Sequence, residues 1–111
     1  MLDKRDFYID GKWTKPSNPN DFDVINPSNE EVFAKISLGQ KEDTDSAVKA
    51  AKNAFIKWKE TSKEERITLL EKLLTIYKKR FSEMSNAISI EMGSPIDYSF
   101  STHTASGQAH L

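Results

Sequence analysis

Glu31-Val32-Phe33-Ala34-Lys35-Ile36-Ser37-Leu38, followed past Gly39 by Glu42-Asp43-Thr44-Asp45-Ser46-Ala47-Val48, is where the hydrophobic period of the chain changes. In the first part Val32, Ala34, Ile36 and Leu38 alternate onto one face while Lys35 and Ser37 point away, the two-residue period of a half-buried strand. From Glu42 onward Ala47, Val48, Ala51, Ala54, Phe55 and Trp58 recur at helical spacing, one apolar stripe with lysines behind it. That stripe predicts a helix facing a core, and strands before the change with helices after it predict an α/β chain.

Toward the N-terminus, Phe7-Tyr8-Ile9 and Trp13-Thr14 flank Asp10-Gly11-Lys12. Asp-Gly is a hairpin turn dipeptide because glycine accepts positive φ and aspartate tolerates it. Pro16-Ser17-Asn18-Pro19-Asn20-Asp21 is loop chemistry, its two prolines unable to donate to a ladder. A second strand pair follows, Phe22-Asp23-Val24-Ile25-Asn26 and then Glu31 to Leu38, with Pro27 to Glu30 as the turn. The organisation expected is a tail over residues 1–6, two short β-hairpins over residues 7–38 and a helical region over residues 39–111.

Toward the C-terminus, Ser62-Lys63-Glu64-Glu65 is a capping box, the serine hydroxyl meeting a free N–H and Glu65 reaching back. One long helix is expected from there to Met92. Its positions Ile67, Leu70, Leu74, Tyr77, Phe81, Met84 and Ile88 step alternately by three and four, a heptad seam. Leu69, Leu73 and Ile76 widen that seam, as for a helix packed into a larger core rather than a two-stranded coiled coil. Gly93-Ser94-Pro95 predicts a left-handed C′ glycine, a serine N-cap and a proline at the first helical position, with Asp97 near the new N-terminus. The following helix reaches Leu111 without a capping residue and reads as an element cut through.

Sixteen basic and seventeen acidic residues are interleaved, so no basic surface for nucleic acid is expected. No apolar run approaches the ~18 residues of a membrane span, and no signal segment opens the chain, which predicts a cytoplasmic location. The chain holds no cysteine, hence no disulfide, thiolate metal site or thiol nucleophile. Its four glycines, Gly11, Gly39, Gly93 and Gly107, cannot assemble a dinucleotide or phosphate loop. His103 and His110 stand two helical turns apart, too far to share one zinc ion, and the hydroxyls around His103 lack an orienting acid for a nucleophilic triad. Trp13 and Trp58 lie on periodic faces and are expected in the core, and Glu42, Asp43 and Asp45 complement a helix N-terminus.

The motifs themselves resemble one family. Phe7-Tyr8-Ile9-Asp10-Gly11-Lys12-Trp13 and Val24-Ile25-Asn26-Pro27-Ser28-Asn29-Glu30-Glu31-Val32 are similar to the N-terminal strand pairs of the NAD(P)-dependent aldehyde dehydrogenases. The stretch from Glu42 to Trp58 resembles that family's first helix, Ser62 to Leu73 its second, and Glu91-Met92-Gly93-Ser94-Pro95-Ile96 the junction after it. One departure falls at Glu30, where the family pattern carries glycine, and predicts a looser turn.

For a complete protein the resemblance implies thiolate attack on an aldehyde, hydride transfer to NAD or NADP, and hydrolysis of the thioester by a glutamate-activated water. The groups that do this have no counterpart before Leu111, so no catalytic residue, no cofactor site and no turnover are expected of this chain alone. The partners implied are the remainder of the aldehyde dehydrogenase fold and, in a full-length homo-oligomer, an aldehyde. The resemblance also implies that Tyr98, Phe100 and Thr102 line a substrate entrance, and that Val24, Ile25 and Glu91 are part of an incomplete alkali-cation site. A different class of reading is a stand-alone helical interaction module pairing with full-length subunits.

Overall fold

The computed structural model describes residues 1–111. It divides into two compact units, Met1–Ile25 with Val32–Glu60, and Asn26–Glu31 with Thr61–Leu111.

The first unit holds strands β1 (Leu2–Lys4), β2 (Phe7–Ile9), β3 (Lys12–Thr14), β4 (Asp21–Asn26) and β5 (Glu31–Ser37), and helix α1 (Lys41–Trp58). Strands β2 and β3 form the expected hairpin, pairing Phe7 with Thr14 and Tyr8 with Trp13. Its turn is left-handed at both central residues, with φ of 54° at Asp10 and 75° at Gly11, a twist that matches the flanking strands. The other sheet has the order β1-β5-β4. Leu2–Lys4 lies inside the residues expected as a tail, yet it pairs in parallel with β5, Leu2 opposite Ala34 and Lys4 opposite Ile36. Such a pairing with a strand some thirty residues away leaves no mark on the local sequence.

The faces of β5 also differ from the strict alternation expected. Ala34 is buried as expected, but so is Ser37, whose hydroxyl accepts the Asn20 N–H at 3.4 Å, while Val32 and Leu38 are exposed. Neither tryptophan is in a core: Trp13 is 70% exposed, its ring edge-on to Tyr8, and Trp58 is 45% exposed. The stripe on α1 is formed as predicted and left uncovered, with Val48 and Phe55 both more than half exposed.

At the start of α1 the structure adds a contact the sequence did not show. Asp43 does more than complement the helix N-terminus: one carboxylate oxygen accepts the Gln40 N–H at 2.9 Å and the other the Ser17 N–H at 2.8 Å. Asp43 is buried, and these bonds, Gln40's first and Ser17's second, hold its carboxyl below the usual range.

The second unit contains the turn Asn26–Glu31 and helices α2 (Lys63–Lys79), α3 (Phe81–Met92), α4 (Ile96–Tyr98) and α5 (Ala105–Ala109), with a π-helical turn over Ser99–Thr104. The capping box forms, Glu65 N–H donating to the Ser62 hydroxyl at 3.1 Å and Ser62 N–H to the Glu65 carboxylate at 2.8 Å. The single long helix does not. It breaks at Arg80, where φ is −104° and ψ 16° and the N–H is shared between the Ile76 and Tyr77 carbonyls. No glycine or proline marks the place. The break sits between Tyr77 and Phe81, whose rings meet at 6.2 Å and which both engage the residues after Pro95.

Gly93 takes the expected left-handed conformation, φ 73°, and its N–H closes on the Ser89 carbonyl at 2.9 Å. A Cβ there would stand 2.8 Å from Pro27 Cγ, so this glycine also permits the turn to pack on the end of α3. The next helix is capped by Pro95 rather than by Ser94, because Pro95 itself is extended (ψ 137°) while its carbonyl accepts the first helical bond from Ser99 N–H. Nor is the Asn26–Glu31 turn loose. Glu30 adopts the left-handed conformation, φ 60°, and donates its N–H to the Asn26 carbonyl at 2.8 Å.

Candidate functional site

The residues after Pro95 form the best packed part of the second unit, and small polar side chains build it. Ser85 on α3 and Ser99 and Thr104 at the two ends of the π turn are the most completely buried side chains of the whole chain. Ser85 Oγ donates to the Phe81 carbonyl at 3.0 Å and lies 2.9 Å from Thr104 Oγ1. Since the one Ser85 hydroxyl proton is used on Phe81, Thr104 is the donor of that pair. Tyr77 on α2 sends its hydroxyl to the Thr104 carbonyl at 3.0 Å. Gly107 is needed for that approach, because any Cβ there would overlap the Tyr77 hydroxyl. The Ser99 hydroxyl, wholly buried, has no partner.

A π turn brings residues five apart onto one face, whereas in an α-helix they diverge by about 140°. Two such pairs coincide here. Ser99 and Thr104 both point inward, and Tyr98 and His103 meet edge to face with ring centres 5.0 Å apart. Phe100, at the next position, lies 4.7 Å from Phe81, which continues to Tyr77, so three rings tie the turn to α2 and α3.

Of the residues expected at a substrate entrance, Tyr98 ends α4 and Phe100 and Thr102 lie on the π turn that follows it, and all three are exposed. Phe100 is committed on one side to Phe81, whereas Tyr98 leans on His103. Of the expected cation ligands, Val24 and Ile25 lie in β4 within the first unit and Glu91 near the end of α3 in the second. No cluster of three or more His, Asp or Glu side chains converges on a metal-sized point. Sequence reasoning missed Tyr77, Ser85 and Thr104. The available signal was the run of small residues in Ser99-Phe100-Ser101-Thr102-His103-Thr104-Ala105-Ser106-Gly107, too small for an ordinary amphipathic stripe.

Two short β-structures followed by amphipathic helices place the chain in the α/β class. Residues 13–108 match the aldehyde dehydrogenase family, and the chain belongs to it. The crystal structure of aldehyde dehydrogenase from Bartonella henselae superposes with a TM-score of 0.98 and 54% identity, over 99% of this chain and 23% of that one. Aldehyde dehydrogenase C from Pseudomonas syringae, a mutant solved with NAD+ and octanal, gives a TM-score of 0.94 and 37% identity, over 96% of this chain and 22% of that one. The 3-succinoylsemialdehyde-pyridine dehydrogenase of a Pseudomonas species is 44% identical over 96 residues, 86% of this chain and 20% of the relative. The chain therefore corresponds to the N-terminal segment of the family fold and spans about a fifth of the length of these relatives.

Proposed function

We propose that this segment is scaffold for an NAD(P)-dependent aldehyde dehydrogenase: it packs against the rest of that fold, supplies one wall of the aldehyde entrance through Tyr98, Phe100 and Thr102, and performs no chemistry alone. The observation that carries this reading is the uncovered apolar face of each long helix. On α1, Val48, Phe55, Ile56 and Trp58 are 45–64% exposed, and on α2, Ile67, Leu69, Leu70, Leu73 and Ile76 are 42–53% exposed. Fully burying such a side chain is worth about 1.5–3 kcal/mol, so covering the exposed half of these nine would gain on the order of 10 kcal/mol. That is comparable with the whole stability of a domain, and a fold that covers these faces would recover it.

The residues of this chain do not fit a dinucleotide. The strand–glycine–helix junction at Gly39 resembles a phosphate turn only in outline, since the N-terminus of α1 is already occupied by the Asp43 carboxylate, which would repel a phosphate. Cofactor contacts are assigned to the rest of the fold, as are the nucleophile and general base. An alkali-cation site of the complete fold would need a ligand from outside these residues. The setting proposed is a cytoplasmic homo-oligomer; no helix of the chain is long and apolar enough to cross a membrane.

The test is direct. The purified chain is incubated with NAD+ or NADP+ and a panel of aliphatic and aromatic aldehydes while nicotinamide reduction is followed by absorbance. Rates at the buffer blank are expected, and turnover that survives repurification would place chemistry within these residues and overturn the reading.

A further inference from the structure

The buried hydroxyls around the π turn do not favour it uniformly. Ser99 leaves a wholly buried hydroxyl without a partner, a cost that the π arrangement carries rather than relieves. Two contacts oppose that cost, both at the Thr104 end: the Tyr77 hydroxyl on the Thr104 carbonyl, and the Thr104 hydroxyl on Ser85, whose own hydroxyl proton is held by the Phe81 carbonyl one turn back in α3. Thr104 is thereby bound from α2 and α3 at once, through its backbone and its side chain. Gly107 keeps open the space the Tyr77 hydroxyl occupies.

We propose that the Tyr77 hydroxyl and the Ser85–Thr104 hydroxyl pair are a register lock that holds residues 99–104 in a π rather than an α turn, which makes Tyr77, Ser85 and Thr104 positioning residues for the face carrying Tyr98, Phe100 and Thr102. Without the lock an α register satisfies the backbone equally, and every side chain on one side of the turn rotates relative to those on the other. Tyr98 and His103 then separate, because their ring contact exists only when residues five apart share a face. The lock rests on the entrance reading solely for what that face does; its geometry does not depend on that reading.

The Tyr98–His103 contact supplies the readout. The full chain carrying His110→Gln has His103 as its one histidine, and the Tyr98 ring displaces the imidazole proton resonances from their free positions. Tyr77→Phe with Thr104→Val is expected to return those resonances to the free position with helical circular dichroism retained, whereas Thr104→Ser, which keeps the hydroxyl, leaves them displaced. Gly107→Ala, which pushes the Tyr77 hydroxyl away by a different route, is expected to act like Tyr77→Phe alone. Tyr98→Leu in the otherwise native chain fixes the free position. If the double substitution costs helix content, Tyr77→Phe alone decides by the same criterion. Undisplaced resonances in the native chain, or displaced ones that persist without the two hydroxyls, would overturn the lock. No arm uses turnover, so an entrance reading that fails in an aldehyde assay leaves the outcome here unaffected.

Discussion

Replacing Gly93 by alanine separates two costs that the structure places at one atom. The backbone there is left-handed, φ 73°, a conformation that costs an L-residue about 1–2 kcal/mol. The added methyl would lie 2.8 Å from Pro27 Cγ, well inside contact, and overpacking of this kind costs about 1–3 kcal/mol. Gly93→Ala should therefore weaken the junction by about 2–5 kcal/mol. Pro27→Ala removes the obstructing ring and should lower the penalty of Gly93→Ala by the overpacking share alone, leaving about 1–2 kcal/mol. Amide hydrogen exchange reads this locally, at the Gly93 N–H bonded to the Ser89 carbonyl and the Glu30 N–H bonded to the Asn26 carbonyl. Both amides should exchange faster in Gly93→Ala, and part of the protection should return in the double variant. Unchanged protection in Gly93→Ala would refute the left-handed strain; strictly additive losses would refute the contact with Pro27.

At Glu30 the same conformation is carried by a residue with a Cβ, so Glu30→Gly should stabilise the turn by about 1 kcal/mol, seen as slower exchange at Asn29 and position 30; faster exchange would show that the Glu30 side chain contributes to the turn. Asp43 and Glu65 titrate below their ordinary values through bonds from backbone N–H groups, and Asp3 is lowered to about 2, chiefly by the Arg5 side chain. Carboxylates depressed on folding stabilise the native state above their unfolded values near 4 and lose that contribution as pH falls through the folded ones, so helical structure should weaken below about pH 4, less steeply in Asp43→Asn. The chain by itself should bind an apolar dye and self-associate through the uncovered faces of α1 and α2 while each unit keeps its internal packing, and denaturation followed by Trp13 and Trp58, both in the first unit, should not coincide with loss of far-UV circular dichroism, to which the helices of the second unit also contribute. Steep, coincident transitions from a monomer would instead favour a self-sufficient module.

What the sequence made legible was local. The Asp10-Gly11 turn, the Ser62–Glu65 capping box and the left-handed Gly93 each depend on residues within four positions of one another, and each is present. The elements it hid are held from a distance. The π turn depends on Tyr77 and Ser85, which stand 27 and 19 residues from Thr104, and β1 depends on a partner strand some thirty residues on. The break at Arg80 has no breaker residue because packing of Tyr77 and Phe81, not local propensity, selects it. Burial is hidden in the sequence for a different reason. The stripes on α1 and α2 are apolar faces in the sequence and in the structure, but a period states only that a face is apolar, not what covers it, and their large side chains remain about half exposed.

Ala34 is the one buried hydrophobic side chain, whereas the most deeply enclosed residues are a serine on α3 and a serine and a threonine on the π turn. Apolar burial within these residues therefore supplies little of the free energy that ordering the chain costs. Small hydroxyl residues instead let α3 approach the π turn closely and fix its register through directed bonds, which specify geometry at modest net gain. A segment organised this way is shaped by its own polar contacts and stabilised by what its apolar faces meet. On the scaffold reading, substitutions on the outward stripes, such as Phe55→Ala or Leu73→Ala, should scarcely change the isolated chain. In the assembled fold each should cost about 2–5 kcal/mol, as buried large-to-small changes do. Equal effects in both settings would mean that the rest of the fold does not cover the stripes, and the scaffold reading would fail.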